Sequence, residues 1–124
     1  MRVKKLLNKK GHAVYSVSPD TTVYDALKLM AEKEIGAVVV LEEGKMVGIM
    51  SERDYARKII LKGKSSKETR VREIMTSEVI YVSSDKKVGK CLTLMTKNRI
   101  RHIPVLEKEQ LIGILSIEDV KGVT

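Results

Sequence analysis

The stretch Gly48-Ile-Met-Ser-Glu-Arg-Asp54 decides the reading of this chain, because it returns 65 residues later as Gly113-Ile-Leu-Ser-Ile-Glu-Asp119. Each copy ends an apolar, β-prone run (Lys45 to Met50; Gln110 to Leu115) and opens a stretch of helical composition. Both Ser-to-Asp segments are therefore predicted at strand-to-helix junctions. A helix N-terminus offers free N–H donors and the positive end of the macrodipole, which suits a phosphate, and Ser51 or Ser116 adds a hydroxyl donor. The carboxylate three residues on, Asp54 or Asp119, accepts hydrogen bonds only, and its two oxygens suit the adjacent hydroxyls of a ribose. The same residues also fit capping boxes, in which the Ser caps the helix and the acid reaches back to the first free amide. Either copy alone leaves both readings open.

The repetition extends far beyond the motif. Val17 to Asp54 aligns without a gap on Val82 to Asp119, matching Asp20 with Asp85, Val23 with Val88, Leu27 with Leu92, Met30 with Met95, Ile35 with Ile100 and Val40 with Val105. A weaker echo precedes it, since Arg2-Val-Lys-Lys-Leu-Leu parallels Arg70-Val-Arg-Glu-Ile-Met at an offset of 68. The chain is two copies of one unit.

Within the first copy, Ala13 to Val17 reads as a short strand and Ser18-Pro-Asp as a turn. Val23, Ala26, Leu27, Met30 and Ala31 then fall at helical spacing, predicting a helix from about Thr22 to Lys33 that Gly36 ends. Ala37 to Leu41 and Met46 to Met50 are continuous apolar runs around a turn at Glu42-Glu-Gly-Lys, and a second helix runs from Ser51 to about Leu61. The polar Gly63 to Thr69 reads as a linker. The second copy repeats the order with a strand at Val79 to Val82, a helix from about Asp85 to Asn98, strands at His102 to Leu106 and Leu111 to Leu115, and a helix from Ser116. That last helix is shorter than its counterpart, as expected of a piece of a longer chain. The expected boundaries are 1–62 for the first domain with its lead segment, 63–69 for the linker and 70–124 for the second domain.

Composition narrows the function classes. With 124 residues, 43% apolar content, no Phe and no Trp, the chain is one compact domain or two small halves, and its core is built from Val, Ile, Leu and Met. No run approaches the roughly 18 apolar residues that a membrane span requires, and residues 1–12 carry charge rather than an apolar signal segment, so a soluble, cytoplasmic protein is expected. The single Cys91 has no internal disulfide partner and falls on the apolar face of a predicted helix, where it is expected to pack. The two His residues lie 90 apart, far from ligand spacing with that Cys, so no metal site is expected. No nucleophile–base pairing, Walker-type loop or Gly-x-Gly-x-x-Gly is present, so no catalytic residues are assigned.

The net charge of +8 is concentrated. Residues 1–12 hold five Lys or Arg and no acid, and residues 53–72 hold eight against Asp54 and Glu68. Such patches suit nucleic acid, an anionic partner or a nucleotide's phosphates, or are simply solvated. A nucleic-acid-binding module would use those two segments, but only Tyr15, Tyr24, Tyr55 and Tyr81 are available for base stacking.

Two gapless copies of strand, helix, strand, strand, helix, each closing on Gly-Ile-x-Ser-x-x-Asp, resemble a pair of CBS domains, the Bateman module, over nearly the whole chain. Glu52-Arg-Asp-Tyr-Ala-Arg-Lys with Lys62-Gly-Lys-Ser-Ser, and Asn98-Arg-Ile-Arg-His-Ile-Pro-Val, further resemble the small stand-alone CBS-pair proteins of bacteria and organelles. The resemblance implies an α/β (α+β) fold of two tandem domains packed with pseudo-twofold symmetry, with clefts that bind AMP, ADP, ATP, NAD(H) or S-adenosylmethionine. It carries the ribose-binding role to Asp54 and Asp119, and the phosphate side to Ser51 and Ser116. Base contacts fall to Ile35, Gly36 and Ala37 in the first copy and to Ile100, Ile103 and Pro104 in the second.

The carry-over is uneven. Gly36 and Ala37 stand where the second copy has Arg101 and His102, and Arg53 is matched by Glu118. Arg53, Arg101 and His102 are the added phosphate candidates, and the two clefts are expected to differ. The expected function is a non-catalytic adenine-nucleotide sensor of energy or redox state, AMP foremost, acting on an unknown regulated protein by conformational shift. The alternatives are the nucleic-acid module and a ligand-free protein-interaction module. A homodimer is also expected, partly from the resemblance and partly because the helices around Ala26, Leu29 and Met30, and around Leu92, Leu94 and Met95, are apolar beyond one stripe.

Overall fold

The computed structural model of the chain describes all residues, 1–124. In order it contains α1 (Val3–Lys10), β1 (Ser16–Val17), α2 (Val23–Lys33), β2 (Ala37–Glu42), β3 (Lys45–Ser51), α3 (Glu52–Tyr55), which continues as a π-helical stretch Ala56–Ile60, and a 3-10 turn Val71–Glu73. The second copy supplies α4 (Val88–Asn98), β4 (His102–Glu107), β5 (Gln110–Ser116) and α5 (Ile117–Lys121). No helix is long and apolar enough to cross a membrane.

The repeat is preserved in the buried faces of its two long helices. In α2 the buried residues are Val23, Ala26 and Met30, and in α4 they are Val88, Cys91 and Met95, the same three positions of the repeat. Both helices end on a residue in the left-handed region, Glu34 (φ 53°) and Arg99 (φ 55°), whose amides return to carbonyls of the last turn. Gly36, expected to end α2, comes after that cap. It is free for another task. The hairpins also coincide: β2 pairs antiparallel with β3 from Ala37↔Ser51 to Glu42↔Lys45, and β4 with β5 from His102↔Ser116 to Glu107↔Gln110, each with a register shift between Val40 and Leu41 or between Val105 and Leu106. Their turns demand positive φ at both central residues, Glu43 with Gly44 and Lys108 with Glu109.

The opening strands are shorter than their apolar runs promised. Only Ser16–Val17 pairs, in parallel, with Val39 and Val40. The expected strand Val79 to Val82 reduces to one parallel bridge, Val82↔Val105, at the repeat equivalent of Val17↔Val40.

The chain forms two compact units that cut across the sequence copies. The first unit is 15–79 and the second combines 1–14 with 80–124. The boundaries expected at 62 and 70 follow likeness between copies, whereas the units follow burial. Val3, Leu6 and Leu7 of α1 sit at helical spacing beneath the lysines and join the core of Val82, Val88, Cys91, Met95, Ile103, Val105, Leu115 and Val120. Val71 and Ile74 join that of Val23, Ala26, Met30, Val38, Val40, Met50 and Ile59. The weaker echo at offset 68 is thus a shared docking mode. Val3 N donates to Lys86 O (2.8 Å) and Lys4 N to Ser84 O (2.8 Å), just as Val71 N donates to Thr21 O (2.8 Å) and Arg72 N to Pro19 O (2.9 Å). The Arg2 guanidinium donates to Asp85 O (2.7 Å) as Arg70 does to Asp20 O (3.0 Å).

Residues 63–69, mostly exposed, are fastened to the start of α2. Tyr24 N donates to Ser66 O (3.0 Å) and Val23 N to Thr69 O (2.9 Å), so the segment satisfies the free amides at the start of α2, and Thr69 is buried.

Candidate functional site

Each Ser-x-x-Asp forms a complete capping box at the end of a hairpin. Asp54 N donates to Ser51 Oγ (3.2 Å) while Ser51 N donates to Asp54 Oδ2 (2.9 Å). Asp119 N donates to Ser116 Oγ (3.1 Å) and Ser116 N to Asp119 Oδ2 (2.8 Å). The cap reading is therefore real, and it fixes where each carboxylate points.

Close approach at the neighbouring glycine is part of this geometry. A Cβ on Gly48 would lie 2.6 Å from Met75 Sδ and 3.0 Å from Thr76 O, and one on Gly113 would lie 2.7 Å from Leu7 Cδ2. The lead segments press on the strands at these two points, 48 and 113, which are equivalent in the repeat.

The residues before the middle strands are brought to the same place. Gly36 O accepts from Glu52 N (3.0 Å) and Arg101 O from Ile117 N (2.8 Å), so each holds the first amide of the helix that follows Ser51 or Ser116. Ala37 faces Ser51 across the hairpin, and His102 faces Ser116. The structure thus gathers Gly36, Ala37, Ser51 and Asp54 in the first unit, and Arg101, His102, Ser116 and Asp119 in the second. Ile35 and Ile100 are half-buried against their own cores, Ile103 is wholly buried in the core, and Pro104 O accepts from Val82 N (3.1 Å). Arg53 is exposed on the first turn of α3. Arg101 is exposed and ion-paired with Glu118, the residue that replaces Arg53 in the second copy, so the charge swap between copies is compensated locally.

Both carboxylates carry an ammonium that the motif does not contain. Lys58 Nζ lies 3.0 Å from Asp54 Oδ1 and donates to Ile74 O (2.7 Å), and Asp54 further accepts from Ser51 Oγ (3.1 Å) and Thr76 Oγ1 (3.3 Å). Lys10 Nζ lies 2.8 Å from Asp119 Oδ2 and donates to Ile114 O (2.7 Å). Lys58 was legible as an i, i+4 partner of Asp54. Lys10 was not, since 109 residues separate it from Asp119. The Asp54 side chain is 12% exposed and that of Asp119 26%. Burial pushes the Asp119 carboxyl up, but the Lys10 ammonium and the Ser116 amide outweigh it and hold it below the ordinary carboxylate value.

Part of the basic charge is engaged internally. Arg72 pairs with Asp20 (2.7 Å), and Lys67 and Lys28 stand over the Tyr24 ring at 4.9 and 6.0 Å, covering one of the four aromatics that base stacking would need. Cys91 is buried in the core, and burial raises its thiol.

The CBS domain family model matches residues 3–61 and 71–123. The mitochondrial CBS domain-containing protein CBSX3 of Arabidopsis thaliana is 51% identical over 106 residues, which is 82% of this chain and 52% of that protein; the chain spans about half the length of this relative. A solved protein with CBS domains from Burkholderia ambifaria superposes with a TM-score of 0.96 at 46% identity, covering 99% of this chain and 93% of that one. The CBS domain pair of protein MJ0100, solved in complex with 5-methylthioadenosine and S-adenosyl-L-methionine, superposes with a TM-score of 0.88 at 26% identity, covering 99% of this chain and 94% of that one.

Proposed function

This chain belongs to the CBS-domain family, and from that membership we propose that it is a non-catalytic regulatory module that binds an adenosine-containing ligand, AMP foremost. The observation that carries the reading is the carboxylate held by an identical cap at the same register of both units, beside the start of the middle strand. Asp54 and Asp119 take the ribose hydroxyls. Ser51 and Ser116 lie on the phosphate side, with Arg53 in the first unit and Arg101 and His102 in the second. Ile35, Gly36 and Ala37, and Ile100 and Pro104, border the base, and Ile103, wholly buried, backs them from the core. The complex of a relative with 5-methylthioadenosine and S-adenosyl-L-methionine supports a nucleoside as the shared element.

The second unit is the stronger ligand site, because Asp119 is the more exposed acid and has His102 across the hairpin where the first unit has Ala37. Ligand binding shifts the population of conformers that a regulated protein reads, and the ligand's differential affinity sets the size of that shift. The module works as a homodimer, using the half-buried Leu29 and Leu94 faces of α2 and α4. Light scattering that gives one-chain mass at every accessible concentration rejects the dimer.

A thermal-shift screen with AMP, ADP, ATP, NADH, S-adenosylmethionine and a short oligonucleotide tests the ligand class, since binding to the folded state raises stability by RT ln(1 + [L]/Kd). Stabilisation by AMP is expected. Stabilisation by the oligonucleotide alone overturns the reading in favour of nucleic acid, and stabilisation by none of them in favour of a ligand-free interaction module.

A further inference from the structure

The ammonium groups on the two acids come from unrelated places. Lys58 stands one turn after Asp54 on its own helix, and its equivalent in the second copy is Val123; Lys10 ends α1, and its equivalent after the second lead segment is Glu78. No repeated element explains both. What the two sites share is a carboxylate that is neutralised from within the chain. At Asp119 the ammonium sits on Oδ2, the oxygen that also holds the Ser116 amide, and its second bond is to Ile114 O on the outer edge of β5. In the first unit the equivalent carbonyl, Ile49 O, accepts from the Thr76 backbone amide (2.9 Å), a bond that involves no movable side chain.

We propose that Lys10, delivered to the second unit by α1, sets the ligand preference at Asp119. This rests on the reading of Asp119 as the ribose acceptor. A ribose hydroxyl and the Lys10 ammonium compete for the same carboxylate. A neutral nucleoside displaces a charge-assisted hydrogen bond and leaves the ammonium without an anion, so its binding is penalised. A nucleotide brings its own anion. The displaced ammonium moves from carboxylate to phosphate, so it keeps an anionic partner while the ribose hydroxyls hydrogen-bond to the carboxylate. Lys10 is long and three-donor, and its side chain is 29% exposed, so the move requires rotamer changes rather than unfolding of α1. A site that prefers phosphorylated adenosines over the free nucleoside follows from one residue outside the motif.

The test measures AMP and adenosine affinities by calorimetry for the full chain carrying Asp54→Asn, so that Asp119 dominates, with Lys10 intact, Lys10→Met, Lys10→Arg and Lys9→Met. With Lys10 intact, AMP is expected to bind about tenfold more tightly than adenosine, the scale of one charge-assisted bond. Lys10→Met tightens adenosine, weakens AMP and brings the two within about threefold of each other. Lys10→Arg retains the preference, and Lys9→Met, an exposed neighbour on the same turn, leaves it unchanged. A preference that survives Lys10→Met overturns the assignment while leaving the nucleotide reading intact, and Lys10 is then only an anchor for α1. If neither ligand binds any variant, including the parent chain with Asp54 restored, the nucleotide reading itself fails and the role of Lys10 falls with it.

Discussion

Asp54 and Asp119 occupy one register of one repeat, carry the same cap and follow the same hairpin, yet they are neutralised by different means. In the first unit the partners are close at hand: Lys58 one turn on, and Thr76 from the segment that docks on β3. In the second unit the partner is Lys10, from the opposite end of the chain. A repeat therefore constrains the main chain and the core far more tightly than the charges around the site. The residues that neutralise the carboxylate, Lys58 and Lys10, have no counterpart of the same charge in the other copy, where Val123 and Glu78 stand.

The largest difference between the two units is expected at the lead segments. Leu7 is wholly buried against Gly113, whereas its equivalent Met75, against Gly48, is partly exposed. Leu7→Ala is expected to cost about 2–5 kcal/mol and Met75→Ala less, read from urea denaturation midpoints at constant slope. Equal losses would mean that α1 and the 3-10 turn dock with equal weight. Filling the glycines comes next: Gly48→Ala and Gly113→Ala each overpack a close contact, at about 1–3 kcal/mol. Gly48 should be the more sensitive, because one of its nearest neighbours is the Thr76 carbonyl, while the nearest atoms to Gly113 all belong to the Leu7 side chain.

Smaller effects separate the caps. Ser51→Ala and Ser116→Ala each remove the side-chain acceptor of a helix amide, at about 0.5–2 kcal/mol. Ser51→Ala is expected at the upper end, since its hydroxyl also donates to Asp54 and its helix continues through Ile60. The smallest effect is in acid. Because the Asp119 carboxyl is held low in the folded state, it contributes stability that is present above its unfolded value of about 3.9 and is lost as pH falls through the folded value. Melting temperatures from about pH 5 down to about pH 2 should therefore fall less steeply in Asp119→Asn than in the parent. An unchanged slope would show that the Lys10 and Ser116 contacts together do not hold this carboxyl low in solution.

Much of this architecture was legible from spacing. The gapless alignment placed α2 and α4, both hairpins and both Ser-x-x-Asp caps, because burial on one helix face and on paired strands writes a period into the sequence. Other features left no such mark. Val79 to Val82 is apolar, yet only Val82 bonds to its neighbour, since an apolar run reports burial rather than pairing. The helix α1 hid its Val3, Leu6 and Leu7 stripe among lysines that drew the reading towards charge. The unit boundaries at 14 and 79 were invisible in principle, because likeness between copies does not say which copy a lead segment packs on. Lys10 was missed for the same reason.

Nucleotide calorimetry on Asp119 bears most directly on the account. AMP is titrated into the parent chain, Asp54→Ala and Asp119→Ala, each first shown by melting to be folded. Asp119→Ala is expected to abolish the tighter binding event and Asp54→Ala to retain it. AMP affinity unchanged from the parent in both variants would contradict the assignment of these acids to ribose.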